Sequence, residues 1–254
     1  MPTVGFLYPG YSAEDDYPRM AELLGDGVRL PLVHTSVGED AHRVDALLDL
    51  GNVDRLAEGV PVLRQSALDA VVWACTSGSF VFGWEGAKEQ VAQLARTYGV
   101  PATSTSFSFV NAAYALCARR VAVAATYPRD VAEHFVQFLG AGGLEVLSLS
   151  SRGIITAAEV GTLGREEVLD LAVANDHPDA DAVLLPDTAL HTVAWLEDLE
   201  QRLGKPVLTA NQVSVWEGLQ IAGSTRTYGG AGALFRSASR AGVEVSLLSG
   251  RGES

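Results

Sequence analysis

A chain of 254 residues, 48% hydrophobic and 19% charged, carries enough apolar material for one large or two medium cores and too few charges for a disordered polymer. Its net charge of −13 offers no basic field to nucleic acid or to an anionic membrane surface, so neither is expected as a partner. Cys75 and Cys117, the two cysteines, make no disulfide framework and fit a reducing, cytoplasmic setting.

The first residues, MPTVGFLYPGYSAEDDYP, have neither a basic start nor a long apolar stretch and do not read as a signal peptide. No uncharged apolar stretch approaches the ~18 residues that suggest a membrane span. In chain order, VGFLYP (4–9), VRLPLV (28–33), AVVWAC (70–75), VPATST (100–105), VAVAATYP (121–128), LEVLSL (144–149), AVLLPD (182–187) and PVLTA (206–210) are predicted strands. Each is short, rich in Val, Leu or Ala, and ends at polar or Gly/Pro residues, as parallel strands buried on both faces do. Amphipathic helical stretches are predicted at 54–68, 84–98, 129–141, 165–175 and 192–203. This alternation implies an α/β fold of doubly wound parallel sheets.

The features also recur in order. Tyr8-Pro9 is matched by Tyr127-Pro128, Gly27 by Gly143, Cys75 by Asp187, and Pro101 by Pro206. The spacing within each pair shrinks steadily, as expected of a duplication whose second copy has shorter connections. Two flavodoxin-like halves would present strand carboxyl ends to a shared cleft, where open α/β sheets bind ligands. Cys75 and Asp187 would then occupy equivalent points on opposite walls.

After Cys75 come Thr76, Ser77, Gly78 and Ser79. A strand-to-helix turn of this composition aims hydroxyls and backbone N–H groups at one spot and could hold a carboxylate or an oxyanion without Lys or Arg. A cysteine at such a turn is expected to have a lowered pKa; the alternative is an inert buried thiol beside a cap made by Thr76 or Ser77. Asp187, followed by Thr188, is either a general acid/base or the cap of the next helix. Tyr127 could donate its hydroxyl to a carboxylate or enediolate, or simply pack at a strand end. Pro9 and Gly10, between Tyr8 and Tyr11, could line the cleft opposite, and Thr188 could contribute at its rim; Asn211 and Gln212 offer amide groups near the same rim, or either could equally be a helix cap. Cys117 reads as a packing or turn residue. The five histidines, at 34, 42, 134, 177 and 191, lack metal-ligand spacing, and no metal is expected. His191 is near enough in sequence to contact Asp187, or else lies on a helix face. YGGAGALFR (228–236) lacks a preceding strand and the GxGxxG pattern, and reads as a flexible turn.

WACTSGS at 73–79, the strand-end tyrosine at 127 and GKPVLTANQVSVWEGLQIAG at 204–223 resemble the aspartate/glutamate racemase superfamily, in particular its branch of maleate cis–trans isomerases and arylmalonate decarboxylases. The resemblance covers nearly the whole chain. It implies an enzyme that needs no cofactor, takes a small carboxylate or dicarboxylate, and tends to pair into homo-oligomers. It also implies two thiols facing each other across a two-domain cleft and a C-terminal helix returning to the first half. The halves would then be 1–116 with 214–254, and 117–213. Cys75 falls on the first cysteine position and Asp187 on the second; Tyr127 falls on the substrate-binding tyrosine, and Thr76 and Ser77 on the oxyanion turn. Two departures stand out. An aspartate replaces the second thiol, and the loop LYPGYSAED lacks the Ser-Asn pair of maleate isomerases, its Pro9 being closer to the decarboxylases. The decarboxylases, in turn, use the second thiol and lack the first.

Three reactions therefore fit. The retained nucleophile position favours a maleate-isomerase-like isomerase with Cys75 as nucleophile and Asp187 as acid/base. A decarboxylase in which Cys75 protonates an enediolate, or an amino-acid-type racemase using Cys75 and Asp187 on opposite faces of the α-carbon, are the alternatives. A non-catalytic small-carboxylate binding protein is the alternative of another class.

Overall fold

The computed structural model describes residues 1–237 and contains two four-stranded, all-parallel sheets with helices around them. The first has order β2-β1-β3-β4, with β1 Val4–Pro9, β2 Leu32–Thr35, β3 Ala70–Trp73 and β4 Ala102–Ser104. The second repeats that order as β6-β5-β7-β8, with β5 Arg120–Ala125, β6 Glu145–Ser151, β7 Ala182–Leu185 and β8 Val207–Thr209. The α/β fold with paired doubly wound sheets is the one the strand pattern implies. Central strands β1, β3, β5 and β7 are buried along nearly their whole length, whereas edge strands β2 and β6 are mostly half-buried. Double-sided burial is why the central strands read as unbroken apolar runs.

Three predicted elements differ. The second strand begins at Leu32 rather than 28, because Pro31 has no N–H to give to the ladder and only its carbonyl pairs, accepting from Phe6 N at 2.8 Å. The helix predicted over 54–68 is two short pieces, Val53–Ala57 and Val60–Leu63, the second started by Pro61, which cannot continue the hydrogen bonding of the first. The stretch 192–203 starts as a 3-10 turn, Val193–Trp195, before helix Leu196–Leu203.

Helices Thr105–Ala115 and Ala210–Ile221 join the halves. The first packs on β4, β8 and helix Arg129–Ala141; the second crosses β1, β3 and β4 as well as β8. Thr105 Oγ1 lies 2.6 Å from Ser214 Oγ, and Asn111 Nδ2 donates to Glu217 Oε1 at 2.7 Å, so the pair is hydrogen-bonded as well as packed. Gly218 permits the approach to the sheet: a Cβ there would lie 2.6 Å from Val4 Cγ1 and 3.0 Å from Val72 Cγ2. The main core runs through this helix pair from one sheet to the other, and a second cluster covers the far face of the second sheet. Of the segment 214–254 expected to complete the first half, residues 238–254 lie outside the described residues. Among the described residues no helix is long and apolar enough to cross a membrane.

Segment 228–236 is not a flexible turn. Residues Gly232–Arg236 form a helical turn; Ala231, Leu234 and Phe235 are buried; and the Ala231 carbonyl accepts from Gln212 Nε2 at 2.9 Å.

Candidate active site

In both sheets the strand order reverses between the first and second strands laid down in the centre, β1/β3 and β5/β7, and the crevice at such a point is where ligands bind. Cys75 follows β3 by two residues and Asp187 follows β7 by two. Together with Tyr8, Pro9 and Gly10 from the end of β1, both line one cavity of about 150 Å³. A cavity of roughly that volume takes one benzene ring.

The Cys75 sulfur is placed by the turn that follows it. Gly78 N donates to Sγ at 3.3 Å, and Ser77 Oγ lies 3.8 Å from it. The Gly78 peptide is itself fixed, because its carbonyl accepts from Trp73 Nε1 at 3.3 Å and Gln90 Nε2 at 2.8 Å. Beneath the turn, the Thr76 carbonyl accepts from Ser106 Oγ at 2.8 Å and Ser79 Oγ pairs with Ser104 Oγ at 2.8 Å. The segment after the turn is a single helical turn, Ser77–Phe80, without a side-chain cap from Thr76. Thr76 Oγ1 is buried and completes no hydrogen bond.

Burial decides the state of the thiol. Cys75 is 2% exposed, and desolvation pushes its pKa up to about 12; the Gly78 N–H and Ser77 pull it down by less, and the nearby Asp187 charge adds to the rise. The lowered pKa expected for this position is thus reversed, because a short N–H array cannot compensate for removing water from a thiolate. Tyr127 is raised as well, by burial first and then by Asp187 and Cys75.

Asp187, 4% exposed, does not cap a helix. Its Oδ1 accepts from Ala189 N at 2.9 Å and its Oδ2 from Thr126 Oγ1. The loop it begins is tied to the first half by Tyr8 Oη, which donates to the Thr188 carbonyl at 2.9 Å, while Asn211 Nδ2 donates to the same carbonyl at 3.1 Å. Asp16, at the start of helix Asp16–Leu24, accepts from Asn211 Nδ2 at 3.0 Å, Thr192 N at 3.1 Å and Val193 N at 3.3 Å. Desolvation raises the Asp16 carboxyl to about 6 despite those donors.

The structure therefore brings Cys75, Asp187, Ser77, Pro9, Gly10 and Thr188 to one cavity. Thr76, Tyr127 and Asn211 are not on its walls; Thr76 is fully buried beneath the turn. Tyr127 is buried behind them with its hydroxyl donating to the Pro186 carbonyl at 3.0 Å, and Asn211 lies under the Thr188 loop as a tether. Gln212 is likewise buried, bracing Thr209 and Ala231. Cys117 is exposed in a left-handed turn position with φ 57°, which fits the turn reading. His191 pairs with Asp15 at 2.9 Å, not with Asp187. Among the described residues no group of His, Cys, Asp and Glu could hold a metal ion.

The segment 37–42 also lines the cavity, and the sequence pattern did not mark it. It is fastened to the second half: Asp40 accepts from Ala157 N at 2.8 Å and Ala158 N at 3.1 Å, and His42 N donates to the Ile155 carbonyl at 2.8 Å. His42 Nδ1 is 2.8 Å from the Ile154 carbonyl, and its ring meets Tyr127 edge-on at 4.9 Å. A loop between a strand and a helix, with partners more than a hundred residues away, leaves no periodic signal to find.

A family model described as arylmalonate decarboxylase matches residues 49–235. The chain is 27% identical to arylmalonate decarboxylase of Bordetella bronchiseptica, over 87% of this chain and 91% of that protein. It is 27% identical to maleate isomerase of Nocardia farcinica, over 68% of this chain and 72% of that one. The liganded crystal structure of an arylmalonate decarboxylase variant, with cysteine in place of a glycine and serine in place of a cysteine, has a TM-score of 0.79 at 27% identity. That match covers 92% of this chain and 99% of the other.

Proposed function

This chain belongs to the arylmalonate decarboxylase family, whose model spans most of it, and on that premise we propose that it decarboxylates a small malonate-type acid through an enediolate, without a cofactor. The observation that carries this reading is the placement of the Cys75 sulfur, held by the Gly78 N–H beside Ser77, in one cavity with Asp187 from the opposite half. The bond between the α-carbon and one carboxylate breaks, CO2 leaves, and the electron pair passes into the remaining carboxylate. The Ser77 hydroxyl on the cavity wall meets the developing oxyanion charge. Cys75 Sγ–H then gives its proton to the α-carbon, and the thiolate left behind recovers one from solvent.

A thiol held near 12 suits that role. It stays protonated at neutral pH, yet it is a far stronger acid than the carbon it must protonate. Asp187 fits an electrostatic part, since both its oxygens already accept hydrogen bonds and its charge helps keep the sulfur protonated. Tyr127 supports the hydroxyl turn from behind the wall.

Cis–trans isomerisation of a small enedioate is the second reading, favoured by the maleate isomerase relative. There Cys75 would lose its proton, add to the double bond, and leave again after rotation. One NMR experiment in D2O separates the two. Alkylmalonates, maleate and amino acids are incubated with the protein and with Cys75→Ala and Cys117→Ala. Deuterated monoacid from a malonate, lost in Cys75→Ala and kept in Cys117→Ala, is the expected result. Fumarate from maleate would favour the second reading, and equal activity in both variants would remove Cys75 from the chemistry. Binding without turnover or exchange would identify a carboxylate-binding protein instead.

A further inference from the structure

The acidic groups on the cavity wall already have partners within the protein. Glu39 pairs with Arg43, Asp40 with the Ala157 and Ala158 N–H groups, and Asp187 with Thr126 and Ala189. Tyr8 Oη is likewise engaged, donating to Thr188 and accepting from Ala13 N at 3.0 Å. His42 differs. It is 8% exposed and lines the cavity, and its Nε2 has no partner among the described residues. A carbonyl can only accept, so the contact with Ile154 puts the proton of the uncharged ring on Nδ1 and leaves Nε2 as a bare acceptor. The ring cannot easily turn away, since its backbone N–H is held by Ile155 and its edge rests on Tyr127.

We infer that His42 determines specificity by reading a small hydrogen-bond donor, a hydroxyl or amino group, on the α-carbon of the substrate. This rests on the malonate reading above and narrows it. A malonate core is about the size of the single ring that a cavity of about 150 Å³ accepts. A substituent of one or two heavy atoms on the α-carbon fits beside that core. A buried acceptor on a residue of that wall discriminates between isosteres, because an analogue lacking the donor leaves it unpaired.

Hydroxymalonate and methylmalonate, which differ by an O–H for a methyl, test this by calorimetric binding to the Cys75→Ala protein, where no turnover consumes the ligand. The expected result is at least tenfold tighter binding of hydroxymalonate. The preference should vanish in His42→Asn, which can still donate to Ile154 but presents no acceptor at Nε2, and return in part in His42→Gln; thermal melts check that both variants fold. Equal affinities in the parent, a preference unchanged in His42→Asn, or phenylmalonate binding as tightly as hydroxymalonate would overturn the inference. Failure of both small malonates to bind would overturn the malonate reading and this inference with it. Binding with the expected preference, but no CO2 release from wild-type protein, would sink the reaction and leave the role of His42 standing.

Discussion

Glu217 should make the protein less stable as the pH rises through neutrality, and replacing it with glutamine should remove that dependence. The side chain is buried in helix Ala210–Ile221, against helix Thr105–Ala115, with one neutral partner, Asn111 Nδ2 at 2.7 Å. Burial raises the carboxyl from 4.5 to about 7, and Asn111 only moderates the rise. At about 1.4 kcal/mol per pKa unit, this shift costs about 3 kcal/mol once the group must ionise in the folded state. The sign follows from the two pKa values. Below 4.5 the group is protonated folded and unfolded, and nothing is lost; between 4.5 and about 7 the folded state loses ground progressively; above about 7 the loss is complete. In Glu217→Gln an amide oxygen can still accept from Asn111, while the added NH2 brings its own desolvation cost at every pH. The informative quantity is therefore the difference between pH values, which cancels that constant. Urea unfolding at pH 5 and pH 8 should show the stabilisation by Glu217→Gln to be about 2 to 3 kcal/mol larger at pH 8. Asp16, raised to about 6, adds a slope of the same sign to both proteins and drops out of the comparison. A mutant gain that is the same at both pH values would refute the reasoning.

Asp187→Asn removes a charge that raises the Cys75 pKa, so the thiol should titrate lower; iodoacetamide alkylation of Cys75 measured against pH should shift to lower pH, and an unchanged profile would show the charge to be ineffective. Gly78→Ala places a Cβ 3.1 Å from Cys75 Sγ and 3.3 Å from Trp73 Cζ2, so kcat should fall about tenfold or more, with a smaller loss of stability, in steady-state and melting measurements. Asp40→Ala frees the N–H groups of Ala157 and Ala158; KM should rise more than kcat falls, and stability should drop by about 1 to 2 kcal/mol in denaturant titration.

The central strands were legible because a strand buried on both faces has one reading: a short apolar run closed by turn residues. The order in which Tyr8, Cys75, Tyr127 and Asp187 follow such runs was enough to expect two similar sheets, with Cys75 and Asp187 at corresponding ends. Helices Thr105–Ala115 and Ala210–Ile221 were not legible, since burial on nearly every side erases the periodicity that marks an amphipathic helix. Asn211 shows the same limit within the site. Its position after β8 suggested the cleft rim, but only the packing of its helix reveals that it faces Asp16 and Thr188 instead.

Residue types and their order alone determined that this chain builds two parallel sheets, with Cys75 and Asp187 following corresponding inner strands. Tertiary structure decided the rest. It closed the cavity with a loop whose contacts, such as His42 with Ile154 across 112 positions, no local pattern encodes, and it reversed the expected character of the Cys75 thiol. The physical reason is common to both outcomes: the sequence names the groups that can donate or ionise, whereas water exclusion depends on which distant segments arrive to cover them.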